Sequence, residues 1–169
     1  KFPLNLLELG FIKTVFPDSK IVLAIRHPLD SILSCVLTAF KMNEAMINFE
    51  NLTTTSNFYN ESFGLMLKYI DYYKIKMHNI KYENVVSDFE NEIKNLLFFL
   101  NLKFENSLKE FYKTAKKREK IHTPSYSQVI QPLYSSSINK HLNYYNDMKI
   151  IIPKIEKWIK YFSYQLPLR

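Results

Sequence analysis

Five consecutive apolar residues, Ile21, Val22, Leu23, Ala24 and Ile25, interrupt an otherwise mixed pattern and stop abruptly at Arg26. A short run rich in β-branched residues predicts a strand covered on both faces, as in a parallel sheet. Pro28 then suits the first turn of a helix, where its missing N–H leaves no hydrogen bond unmade. From there Leu29, Ile32, Leu33, Val36, Leu37 and Phe40 recur on one side at the helical period, with Ser31, Ser34, Cys35 and Thr38 on the other. Residues 20–40 therefore read as strand, tight turn and amphipathic helix.

The remaining pattern places helices around this unit. Leu4, Leu7, Phe11, Ile12 and Val15 predict a helix over 1–16, stopped by Phe16-Pro17. The Thr-rich stretch 51–56 reads as a polar connection, and 57–76 as a long helix containing Gly64. A second strand and its exit are expected over 80–86. Ser87 with Glu90 has capping-box spacing, so a helix with Phe89, Ile93, Leu96, Leu97 and Leu100 on one face should start near Asp88. A further helix is expected over 107–117. Residues 122–137 hold two prolines, many hydroxyls and almost no charge, the pattern of a long ordered loop, which in a compact domain is more often functional than idle. Two short helices, 139–148 and 153–164, complete a single α/β domain, the second burying Trp158.

Composition narrows the chemistry. At 169 residues with 47% apolar and 15% aromatic content, the chain can build one core, yet no run approaches the ~20 apolar residues of a membrane span. The single cysteine, Cys35, excludes an internal disulfide framework and fits a reducing, cytoplasmic setting. The only glycines are Gly10 and Gly64, so neither a Walker-type nor a dinucleotide-binding glycine loop is present. A net charge of +7 points to an anionic partner. The lysines are scattered and the aromatics fall at core spacing, which argues against a nucleic-acid surface. The four histidines show no ligand spacing with one another or with Cys35, so no metal is expected. What remains is a cation at the carboxyl end of a core strand and hydroxyls on the following helix. In open α/β sheets that crevice is where ligands bind, and a helix N-terminus favours anions, so a phosphate or sulfate is the expected ligand. The plain alternative is that Arg26 only pairs with Asp30 on the surface.

These residues resemble the sulfotransferases that use 3′-phosphoadenosine 5′-phosphosulfate (PAPS), in which a core strand ends in Arg and a Ser follows eight positions later, here Arg26 and Ser34. The resemblance implies a P-loop-hydrolase-like fold with a parallel core sheet flanked by helices, of which this chain would be the C-terminal portion. It also implies that Arg26 and Ser34 bind the 3′-phosphate of the nucleotide, a task that suits a planar guanidinium. The segment from Ile80 is similar to the family's Tyr-Glu element, placing Tyr82 near the adenine and giving Glu83 a structural role. The late stretch SYSQVIQP with the lysine after it resembles the segment that closes over the nucleotide in the branch containing protein-tyrosine sulfotransferases, implying contacts from Ser125, Ser127, Gln128 and Lys140. Lys1-Phe2-Pro3 stands where that branch carries a lysine that stabilises the transferring sulfuryl group, a catalytic role for Lys1.

The chain departs from the pattern too. The family's phosphosulfate loop and general base lie upstream of Lys1 in relatives, Thr38 stands at a position that is Arg in the tyrosine sulfotransferases, and His141 replaces a common Trp, a change expected to affect packing alone. The resemblance implies sulfuryl transfer from PAPS to a hydroxyl-bearing acceptor, whether saccharide, protein tyrosine or small molecule. Two alternatives stay open: a nucleotide-binding remnant without catalysis, and a basic helical module that binds nucleic acid.

Overall fold

The computed structural model describes residues 3–38, 40–41, 43–117 and 130–167; Lys1, Ser125, Ser127 and Gln128 lie outside them, as does the first half, 122–129, of the expected loop over 122–137. The apolar run forms β1 (Ile21–Ile25), which pairs in parallel with β2 (Met77–Lys81), so that Ile21 lies opposite Met77 and Ile25 opposite Lys81. Ile21, Leu23 and Ile25 face the helical core, while Val22 and Ala24 are exposed. The expectation of two covered faces therefore fails among the described residues. A continuous apolar run does not say which of its alternating faces is packed.

Helices supply the rest of the fold. After a 3₁₀ turn at Pro3–Leu6, α1 (Leu9–Val15) runs into β1, and α2 (Pro28–Leu37) leaves it, ending short of the expected Phe40. The long helix α3 (Leu52–Tyr73) begins five residues before the hydropathy pattern suggests. Its start is chemical, since the Asn51 side chain accepts from the Thr54 N–H while Thr54 Oγ1 receives the Asn51 N–H, a reciprocal cap. Thr55 and Ser56, expected in a solvated connection, are instead buried in its first turns and bond back to carbonyls of the preceding turn. Lys74 ends the helix in the left-handed conformation at φ 50°.

Strand β2 starts three residues earlier than expected and stops at Lys81, and Tyr82 opens a short helix, α4 (Tyr82–Ser87). The next helix, α5 (Phe89–Leu100), is capped by Asp88, whose carboxylate accepts from the Asn91 N–H, and not by Ser87, whose hydroxyl turns back to the Asn84 carbonyl. Glu90 is drawn away from any capping role by Lys94 and Lys109. A 3₁₀ turn and α6 (Phe111–Lys117) follow, then a 3₁₀ turn at Lys140–Tyr144, α7 (Tyr145–Met148) and α8 (Ile152–Tyr161).

The main core joins Ile25 of β1, Leu29, Ile32 and Leu33 of α2, and Ile155, Trp158 and Ile159 of α8. Trp158 is buried as expected, and its indole N–H donates to Asn60 Oδ1. A smaller cluster under α1 gathers Leu9, Met66 and Ile75. Phe63 and Leu67 of α3, with Leu23 of β1, touch both, so one long helix and one strand hold the two clusters together. The arrangement is α/β, with helices around a two-stranded parallel sheet whose carboxyl ends open on one side.

Candidate functional site

Parallel pairing decides what stands beside Arg26. Because Ile25 is opposite Lys81, the next residue along each strand brings Arg26 and Tyr82 together, and the guanidinium carbon lies 5.8 Å from the centre of the Tyr82 ring. The turn out of β1 is pinned on the same side. The His27 N–H donates to Glu83 Oε1 at 2.8 Å, and Glu83 Oε2 accepts the Tyr164 hydroxyl at 2.6 Å. His27 also caps α2, its Nδ1 accepting the Leu29 N–H at 3.3 Å. That places the ring proton on Nε2, which lies 3.2 Å from the Gln165 carbonyl oxygen and donates to it.

A late segment of the chain folds onto this turn. Arg26 Nη2 donates to the Ser137 carbonyl, and the Tyr82 hydroxyl donates to the Tyr134 carbonyl at 2.5 Å. Asp30, in the first turn of α2, is fully buried and takes three hydrogen bonds from that segment. Asn139 N–H reaches Oδ2 at 2.8 Å, His141 N–H reaches Oδ1 at 2.7 Å, and His141 Nδ1 reaches Oδ1 at 2.9 Å. Asn139 adopts φ 57°, a left-handed turn that asparagine tolerates and that lets two nearby backbone N–H groups converge on one carboxylate. The His141 ring stacks on His27 with centroids 4.2 Å apart.

Electrostatics follow from these contacts. Burial alone would raise the Asp30 pKa, but the His141 side-chain and backbone hydrogen bonds, with the His141 and Arg26 charges, outweigh it and hold the carboxyl below its usual range. Burial, and then the His141 charge, lower the pKa of His27. Arg26 is 21% exposed, its Nη2 stands 3.9 Å from Asp30 Oδ2, and its Nε is buried without a partner among the described residues. Asp30 takes its three hydrogen bonds from closer donors, and among the described residues the guanidinium is hydrogen-bonded through Nη2 to the Ser137 carbonyl, which leaves it further donors. Burial raises the Cys35 thiol to about 11, so Cys35 is a packing group and not a thiolate at neutral pH.

Of the residues singled out from the sequence, Arg26 and Tyr82 are brought together. Lys140 is exposed and lies between the two residues whose N–H groups bind Asp30. Ser34 is exposed one turn beyond Asp30 on α2, and its carbonyl accepts the Thr38 hydroxyl at 2.7 Å. Arg26 and Asp30 do pair, at 3.9 Å, but not on the surface, since Asp30 is buried and its closest partners are in the late segment. His141 does more than pack, because its ring and backbone both hold Asp30. Asp30, His27 and Tyr164 carried no sequence signal of this kind, as their partners lie up to 138 positions away along the chain. Among the described residues no group of three or more His, Cys, Asp or Glu is arranged to hold a metal, and no helix is long and apolar enough to cross a membrane.

Two comparisons bear on this arrangement. An uncharacterized protein of Aquifex aeolicus (strain VF5) is 27% identical over 157 residues, covering 92% of this chain. The chain spans about 20% of the length of that relative. A protein-family model described as the sulfotransferase family matches residues 1–106, a stretch that contains β1, α2, β2 and the Arg26–Tyr82 pair. The chain belongs to the sulfotransferase family.

Proposed function

We propose that this chain is the C-terminal portion of a sulfotransferase domain and supplies the 3′-phosphate and nucleoside site for PAPS, from which a sulfuryl group passes to a hydroxyl-bearing acceptor. The observation that carries the reading is the position of Arg26: a guanidinium with donors to spare, at the carboxyl end of a parallel strand, beside an aromatic ring. Such a group suits a phosphate dianion, and Tyr82 offers a face for an adenine. Ser34 and Lys140 would add a hydroxyl and a second cation, Ser125, Ser127 and Gln128 would contact the nucleoside, and Lys1 would stabilise charge developing on the sulfuryl oxygens. PAPS would supply the activated sulfuryl group; the residues of this chain bind, orient and neutralise.

The direct test is calorimetric titration with adenosine 3′,5′-bisphosphate. Wild type should bind, and Arg26→Ala should weaken binding at least about tenfold, the size expected for a charge-assisted contact. Tyr82→Ala should weaken it by roughly 1–3 kcal/mol of lost stacking. Unchanged affinity in Arg26→Ala would refute the assignment. A second reading, nucleotide binding without transfer, is favoured by one observation: Asp30, Glu83 and His27, the acidic and imidazole groups around Arg26, are all engaged in internal hydrogen bonds and so poorly placed to serve as a base. Transfer of label from ³⁵S-PAPS to a panel of hydroxyl acceptors by this chain would dismiss that reading.

A further inference from the structure

Asp30 touches both halves of the candidate site. On one side its Oδ2 faces Arg26 Nη2 at 3.9 Å. On the other, both carboxylate oxygens accept from the segment that carries Lys140, through the N–H groups of Asn139 and His141 and through His141 Nδ1. The same segment receives the Arg26 guanidinium at the Ser137 carbonyl, closing a ring of contacts from Arg26 to Ser137, along the chain to Asn139, into Asp30 and back to Arg26. A buried carboxylate that accepts three hydrogen bonds, two on Oδ1 and one on Oδ2, fixes direction as well as distance. The Arg26 side chain has many rotamers, and the left-handed turn at Asn139 is tied within its own segment only by the 3₁₀ bond from the Leu142 N–H to the Asn139 carbonyl, with no side-chain cap.

We propose that Asp30 is a positioning residue for recognition of the 3′-phosphate, holding the Arg26 guanidinium and the Lys140-bearing segment in one arrangement so that the phosphate meets both preorganised. The inference rests on the nucleotide reading given above and adds to it the residue that makes the site selective for a nucleotide with that extra phosphate. Asp30 touches no ligand in this role; it acts through Arg26 and the 137–141 backbone.

The test compares adenosine 3′,5′-bisphosphate with adenosine 5′-phosphate, which lacks the 3′ group, by calorimetry on the full chain. In Asp30→Asn the carboxamide can present its oxygen to His141 only by turning its NH₂ toward the Asn139 N–H and Arg26, so two contacts are lost while the volume is kept. Affinity for the bisphosphate should fall about tenfold or more, while affinity for the monophosphate stays within about twofold. Should Asp30→Asn fail to fold, His141→Asn and His141→Leu decide the matter. Asparagine at 141 retains a donor toward Asp30 and should keep the preference for the bisphosphate, whereas leucine should lose it. Equal weakening of both nucleotides, or of neither, in Asp30→Asn or His141→Leu would overturn the inference and leave Asp30 a purely structural group. Absence of bisphosphate binding by the wild type would instead overturn the nucleotide reading, and this inference with it.

Discussion

A histidine can cap a helix through Nδ1 only while that nitrogen is unprotonated, and His27 is held in that state by its surroundings. Burial and the nearby His141 charge depress its pKa below the ordinary 6.5, although the Gln165 carbonyl, Asp30 and Glu83 pull the other way. The unfolded chain therefore binds a proton there that the folded chain resists, so the stabilisation from a neutral His27 is complete above about pH 6.5 and is lost as the pH falls below it. Asp30 acts with the same sign in a lower window: its folded pKa is depressed, so its contribution is present above 3.8 and disappears as the pH drops through the folded value. The unfolding free energy should thus decline through His27 as the pH falls below about 6.5. His27→Asn keeps an oxygen able to cap α2 but cannot titrate, and denaturant unfolding of that variant should show a flatter profile across this range. An unchanged slope would show that some other group governs it.

At the scale of elements, the two glycines answer to opposite constraints. A Cβ on Gly10 would lie 2.5 Å from the Tyr69 ring where α1 crosses α3, so Gly10→Ala should destabilise by about 1–3 kcal/mol. Gly64 sits within α3 with nothing within 4 Å of an added Cβ, and Gly64→Ala should stabilise by roughly 0.5–1 kcal/mol through helix propensity. Urea unfolding midpoints of the two variants should move in opposite directions. The elements that could be read from sequence were those with local signals: the apolar run of β1, Pro28 at the start of α2, the apolar face of α5. The start of α3 escaped because threonines read as a connection, while the Asn51–Thr54 cap that nucleates it is a matter of side-chain geometry. Strand β2 was displaced because Met77-His78-Asn79 has no alternation and is a strand only by pairing with Ile21, Val22 and Leu23. The site divides along the same line. Arg26 and Tyr82 could be found because each sits at an identifiable strand end, whereas the burial of Asp30 depends on a segment 111 residues later.

For the whole molecule, the long helix α3 is the joint between the two apolar clusters. Phe63 lies with its ring 5.5 Å from that of Trp158 and 5.2 Å from that of Phe162, and it also packs against the cluster of Leu9, Met66 and Ile75. Phe63→Ala should therefore cost about 3 kcal/mol and accelerate amide exchange on both α1 and α8, while a loss confined to one of them would show that the clusters unfold separately. The contact between Asp30 and His141 has a consequence in time. As the polypeptide leaves the ribosome, β1 waits for β2 before it has a neighbour, and the acceptor in α2 waits longer still for the donors at 139 and 141. Translation thus delivers the last ties of this arrangement only near the end of this stretch, and a nascent chain arrested before it would own Arg26 and Tyr82 without the carbonyls of Ser137 and Tyr134 that they bond to.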